Sequence, residues 1–90
     1  MQRIMDRLAV TVAEQVDRHR LGFNPTAIER DVRTNIWWMG HRLSNGVTRV
    51  FEIPRIDFET GREITREEAE RLFLRQIEQE EWRIHNNENN

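Results

Sequence analysis

Apolar residues return every four positions at the start of the chain: Ile4, Leu8, Val12 and Val16, flanked by Met5, Ala9 and Ala13. That spacing draws one stripe on a helix, predicted from about residue 2 to residue 20. Arg18, His19 and Arg20 fall in its last turn, where cations suit the helix dipole, and Gly22 can take the left-handed cap. A second helix is predicted to start next. Asn24 is a good N-cap, Pro25 loses nothing at the first helical position, and Ile28 and Val32 share a face.

The pattern then becomes ambiguous over "NIWWMGHRLSNGVTRVFEI", residues 35–53. Ile28, Val32, Ile36, Met39 and Leu43 keep a helical spacing, so the second helix could run on to Leu43. Against that, Ile36, Trp37 and Trp38 favour strands, Gly40 weakens a helix, and Asn45-Gly46 is a strong hairpin signal. The strand-like run "VTRVFEI" also needs a pairing partner for its backbone groups. The hairpin is therefore the preferred reading. A two-residue Asn45-Gly46 turn would set Ser44 opposite Val47, Arg42 opposite Arg49, Gly40 opposite Phe51 and Trp38 opposite Ile53. In that register Trp38 joins the core, and Trp37 lies on the other face with Met39, His41 and Leu43. The weak point is Arg42 facing Arg49, which juxtaposes like charges.

Pro54 cannot donate to a ladder, so the strand bends or lies at an edge there, with Ile56 and Phe58 as a continuation. "DFETGRE" turns the chain. Thr65 and Glu68 form the frame of a capping box, and a helix is predicted from Thr65 to about Ile84. Ala69, Leu72, Phe73, Ile77 and Ile84 make its inner stripe, with Glu67–Arg71, Arg66–Glu70 and Arg75–Glu78 lacing the solvent side. Leu74 and Trp82 fall away from that stripe, beside Arg71, Glu78 and His85. Residues 86–90, "NNENN", read as a disordered polar tail. The expected architecture is a single α+β domain over residues 1–85. Its order is helix–helix–β-hairpin–helix, with the first and last helices on one face of the hairpin.

Composition narrows the function. The content is 37% hydrophobic, enough for a core, and no run approaches the ~18 apolar residues of a membrane span. With no signal-like opening either, a cytoplasmic protein is the expectation. There is no cysteine, which removes disulfides, thiolate metal sites and a cysteine nucleophile. All fourteen basic residues are Arg, for which a GC-rich coding bias is the plain reading. Residues 1–55 hold nine Arg against six acids and residues 56–90 five against ten, so the middle is basic and the C-terminal part acidic.

Catalytic chemistry finds little support. Ser44 is the only serine and sits beside the Asn-Gly turn; His19, His41 and His85 are far apart; the carboxylates of the last helix alternate with Arg. Residues 57–68 carry acids at several calcium-loop positions, but Arg62 stands where the loop needs glycine. No metal and no cofactor are expected. The expected function is a non-enzymatic protein-binding module. Such a chain would be a self-associating accessory or regulatory protein, of the kind a phage inhibitor represents, with a protein partner or a second copy bound through Trp37, Met39, Leu74, Trp82 and Arg71. The alternative is nucleic-acid binding by an Arg-rich ribbon of Arg42, Arg49, Arg55 and His41. A sheet followed by one long helix resembles, in layout only, the arm-type DNA-binding domains of phage integrases.

Overall fold

The computed structural model describes residues 15–88. The predicted stripe residues Ile4, Leu8 and Val12, with their flanks, lie outside that range, as do residues 89 and 90. Within it the chain forms a helix, three antiparallel strands and a long C-terminal helix, a mixed α+β arrangement.

The first helix, α1, is described over residues 15–21 and ends at Gly22, whose φ is +67°. The Phe23 N–H reaches the Arg18 carbonyl at 2.9 Å and the Gly22 N–H reaches the His19 carbonyl at 3.3 Å. Those two bonds make a Schellman cap and satisfy carbonyls that the helix end leaves open.

The predicted second helix does not form. Asn24 does cap, accepting from the Thr26 N–H at 3.2 Å, but the helical segment is a single 3-10 turn, Pro25–Ala27. Strand β1, Glu29–Asp31, follows and pairs with β2, Ile36–Arg42; β2 pairs in turn with β3, Thr48–Pro54. A short isolated helix is marginal, whereas the free edge of β2 offers backbone partners at once. The turn between β1 and β2 is made by Asp31, whose Oδ1 accepts the Arg33 and Thr34 N–H groups, and by Asn35 in the left-handed region at φ 59°. Those two N–H groups, Thr34 first, hold the Asp31 carboxyl below its usual range.

The β2–β3 hairpin exists, but its register is shifted by one residue from the expected one. The observed pairs are Trp37↔Ile53, Trp38↔Glu52, Met39↔Phe51, Gly40↔Val50, His41↔Arg49 and Arg42↔Thr48. The loop holds three residues, not two. The Leu43 N–H bonds the Val47 carbonyl, the Gly46 N–H bonds the Leu43 carbonyl, and Gly46 takes φ +86°. This is a turn closed by a left-handed glycine, the usual three-residue loop. A one-residue slip exchanges the two faces of a strand, so Trp37, Met39 and His41 face inward and Trp38, Gly40 and Arg42 outward. The shift also removes the Arg42–Arg49 opposition.

The last helix, α2, runs from Arg66 to Glu88 and therefore continues past Ile84 through residues 86–88, expected to be a tail. Thr65 Oγ1 accepts the Glu68 N–H at 3.2 Å, as a cap should. Ala69, Phe73 and Ile77 are fully buried against Met39, Phe51 and Ile53 in one core that also takes in Phe23, Ile28, Leu43 and Leu74. Each large side chain in it contributes about 1.5–3 kcal/mol of burial. Leu72, expected in the stripe, is 36% exposed, and Leu74, expected outside it, is 3% exposed. The reason is the end of α1. Glu70 pairs with Arg18 and Glu78 with Arg20, which lays α1 across the helix face on which Leu74 lies one turn from each acid. These acids thus bridge to another element instead of pairing along α2.

Candidate functional site

Three segments converge at one end of the sheet: the cap of α1, the β2–β3 loop and the last turns of α2. Between them lies an open cleft of about 750 Å³, lined by Arg20, Leu21, Arg42, Ser44, Glu81 and Trp82 among others. Beneath it sits a polar cluster buried within the molecule. His41 is 8% exposed and Glu81 9%. The inward register of β2 puts His41 there, and the 3.6-residue period puts Glu81 one turn beyond Ile77.

Glu81 Oε1 accepts the Ser44 backbone N–H at 2.8 Å, tying the hairpin loop to α2. Desolvation pushes the Glu81 carboxyl up, but the Ser44 hydroxyl and N–H, with His85 and His41 nearby, outweigh it and hold the group below its usual range. His41 is shifted down as well. Desolvation dominates there, against the opposing pull of Glu81 and of the Leu21 carbonyl at the end of α1. The fold thus favours an ionised Glu81 beside a neutral His41.

Serine, histidine and glutamate meet here, the residue types of a nucleophilic triad, yet the connections differ from one. A triad needs the hydroxyl on the imidazole and the imidazole on the carboxylate. Here Ser44 meets Glu81 through its backbone N–H at 2.8 Å, so the loop main chain engages the carboxylate where a triad would have an imidazole. The Ser44–Glu81 bond acts as a latch between the hairpin loop and α2. Sequence reasoning read Ser44 as turn chemistry and did not find the cluster. The one signal was Glu81 and His85 at helical i, i+4 spacing.

At the rim of the cleft stands Trp82, 67% exposed. A second, shallower groove lies on its other side, lined by Arg75, Glu78, Gln79 and Arg83, so the indole forms a ridge between two hollows that each carry charged side chains. The other residues expected on a contact surface are placed elsewhere. Met39 is 1% exposed and Leu74 is buried; both belong to the core. Trp37 is half-buried against the core, with its Nε1 donating to the Ile64 carbonyl at 2.9 Å. Arg71 is exposed on α2. Trp38, expected in the core, is half-buried on the outward face of the sheet.

The structure disperses the expected basic ribbon. Arg49 pairs with Glu80 at 2.6 Å and lies over the Phe51 ring, on the side covered by α2. Arg55 is held by Asn35 and Glu63, and His41 is buried. Only Arg42 of the four is exposed on the outward sheet face, which it shares with Glu29, Asp31 and Glu52. That face is more acidic than basic, the opposite of a phosphate-binding surface. Among the described residues there is no group of three His, Asp or Glu placed to hold a metal ion, and no helix long and apolar enough to cross a membrane.

No family model matches the chain, and no curated protein or solved structure matches it either. The site must be judged on its own geometry.

Proposed function

We propose that the chain is a non-enzymatic protein-binding module that engages its partner through Trp82. The observation that carries this reading is the indole itself. A large aromatic, two-thirds exposed and bordered by Arg, Glu and Gln, has the form of an interface anchor with a polar rim. The latch beside it gives the anchor a base, because the Ser44 N–H bond to Glu81 ties the residue next to Trp82 to the hairpin loop. An accessory or regulatory role is the reading that an exposed aromatic contact on a small α+β domain supports. The ion pairs of Arg49 with Glu80 and of Arg55 with Glu63 weaken the nucleic-acid alternative, because two arginines of its ribbon are already engaged.

The test is affinity capture from a native extract with three baits: wild type, Trp82→Ala and Trp38→Ala. A protein retained by wild type and Trp38→Ala but lost with Trp82→Ala supports the reading. Identical captures by all three baits refute it. A duplex or single-stranded DNA shift whose log K falls steeply with log salt would also refute it, in favour of the nucleic-acid alternative.

A further inference from the structure

The two edges of the sheet are unlike. The β1 edge is three residues long and all of them are charged, Glu29, Arg30 and Asp31. Short charged edges are how proteins discourage strand addition. The β3 edge is seven residues long, regular, and ends only at Pro54. In the β2–β3 ladder the bonded pairs fall on odd residues, as Leu43–Val47 at one end and Asn35–Arg55 at the other establish. The N–H and C=O groups of Thr48, Val50 and Glu52 therefore point away from β2, and all three residues are exposed. None of their N–H groups has a partner among the described residues.

We propose that β3 pairs antiparallel with β3 of a second copy of this chain, about a two-fold axis at Val50, to give a continuous six-stranded sheet. A two-fold edge contact must be self-complementary, and this strand is. With Val50 opposite Val50, Thr48 faces Glu52 of the other copy, so each outward N–H and C=O of these residues meets its complement. Axes at Arg49 or Glu52 would oppose like charges. At Val50 the strands instead place an apolar pair at the centre, and Thr48 can donate its hydroxyl to the Glu52 carboxylate. Val50 is 56% exposed and lies beside Gly40, which has no side chain to cover it. Pairing would bury its contact edge and extend the outward face from Trp38 of one copy to Trp38 of the other. This surface is independent of the Trp82 ridge, which sits on α2.

The experiment is sedimentation of the full chain at high-micromolar concentration, comparing wild type with Val50→Pro, Val50→Lys and Trp82→Ala. Proline at position 50 removes an outward N–H and leaves the β2 ladder intact. Lysine there places like charges at the axis and changes only an exposed side chain, so it remains informative if the proline variant fails to fold. The chain has no cysteine, so Val50→Cys introduces one thiol per chain, which a short bis-maleimide should join to its symmetry mate; Gln79→Cys should stay unjoined. The expected result is a wild-type dimer, a dimer for Trp82→Ala, and at least tenfold weaker association for Val50→Pro and Val50→Lys. A monomeric wild type overturns the proposal and leaves the Trp82 reading standing, since that partner is a different protein. A dimer unaffected at Val50, or one lost only with Trp82→Ala, overturns it too.

Discussion

Replacing Glu81 by Gln isolates the charge in the latch. Gln keeps the shape and an oxygen for the Ser44 N–H, now 2.8 Å from Oε1, but removes the negative charge. A hydrogen bond to a charged group contributes about 1.5–3 kcal/mol and a neutral one about 0.5–1.5, so the loss should be about 1–1.5 kcal/mol. For a domain of this size that is a fall in Tm of about 4–10 °C, read by thermal denaturation at pH 8. Glu81→Leu should cost more, by a further ~1–3 kcal/mol, because the Ser44 N–H is then left without an acceptor. The pH dependence supplies a second check. The fold holds the Glu81 carboxyl below its ordinary range, so its contribution is present above pH ~4.5 and is lost as pH falls through the lower folded value. As pH falls below about 6.5 the gap between wild type and Glu81→Gln should widen, because without the carboxylate His41 becomes still harder to protonate in the fold. Below ~4.5 it should close, as the wild-type carboxyl also becomes neutral. A Glu81→Gln protein with the wild-type Tm at pH 8, or a gap that persists undiminished at low pH, would refute the latch.

Three further outcomes follow from the same geometry. Burial keeps the His41 imidazole below its usual value, so the unfolded chain takes up the proton first and stability falls as pH drops through ~6.5; urea titrations should show that slope flattened in His41→Leu. Gly46 is left-handed, yet a Cβ there would meet only the far end of Arg42 at 3.9 Å; Gly46→Ala should therefore cost ~1–2 kcal/mol from backbone strain alone, with Gly46→Asn milder by the same denaturation assay. Leu74→Ala should cost ~2–5 kcal/mol and Leu72→Ala less than ~1. Equal losses at the two leucines would mean that α1 does not cover the Leu74 face.

The long helix and the hairpin were legible because each carries its own local signal, a 3.6-residue stripe with a Thr65 cap and an Asn-Gly turn. Gly22 was legible for the same reason. β1 was not. Glu-Arg-Asp has no strand signature, and the Asn24-Pro25 start signal is satisfied by one turn as well as by a long helix, so only pairing with β2 decides. The register failed on a single residue: Asn45-Gly46 suits a two-residue turn and equally a three-residue loop with Gly46 left-handed. The repulsion between Arg42 and Arg49 was the clue that the two-residue version was wrong. Leu74 and the Ser44–His41–Glu81 cluster were hidden for a different reason. Their surroundings come from three segments distant in sequence, and no local period reports where the end of α1 will lie across α2.

The three-residue loop between β2 and β3 has a consequence for how the chain can change. Phe51 and Ile53 are fixed inward by α2, so the residue that closes the loop against Val47 decides which tryptophan meets the core: Leu43 brings in Trp37, and Ser44 would bring in Trp38. Deleting Ser44 would leave Asn45-Gly46 as a two-residue turn between Leu43 and Val47, so the ladder and both faces would stay as they are. Length variation within residues 44–46 is therefore admissible in single steps, whereas removing one residue from within β2 shifts every position before it by one and exchanges their inward and outward faces.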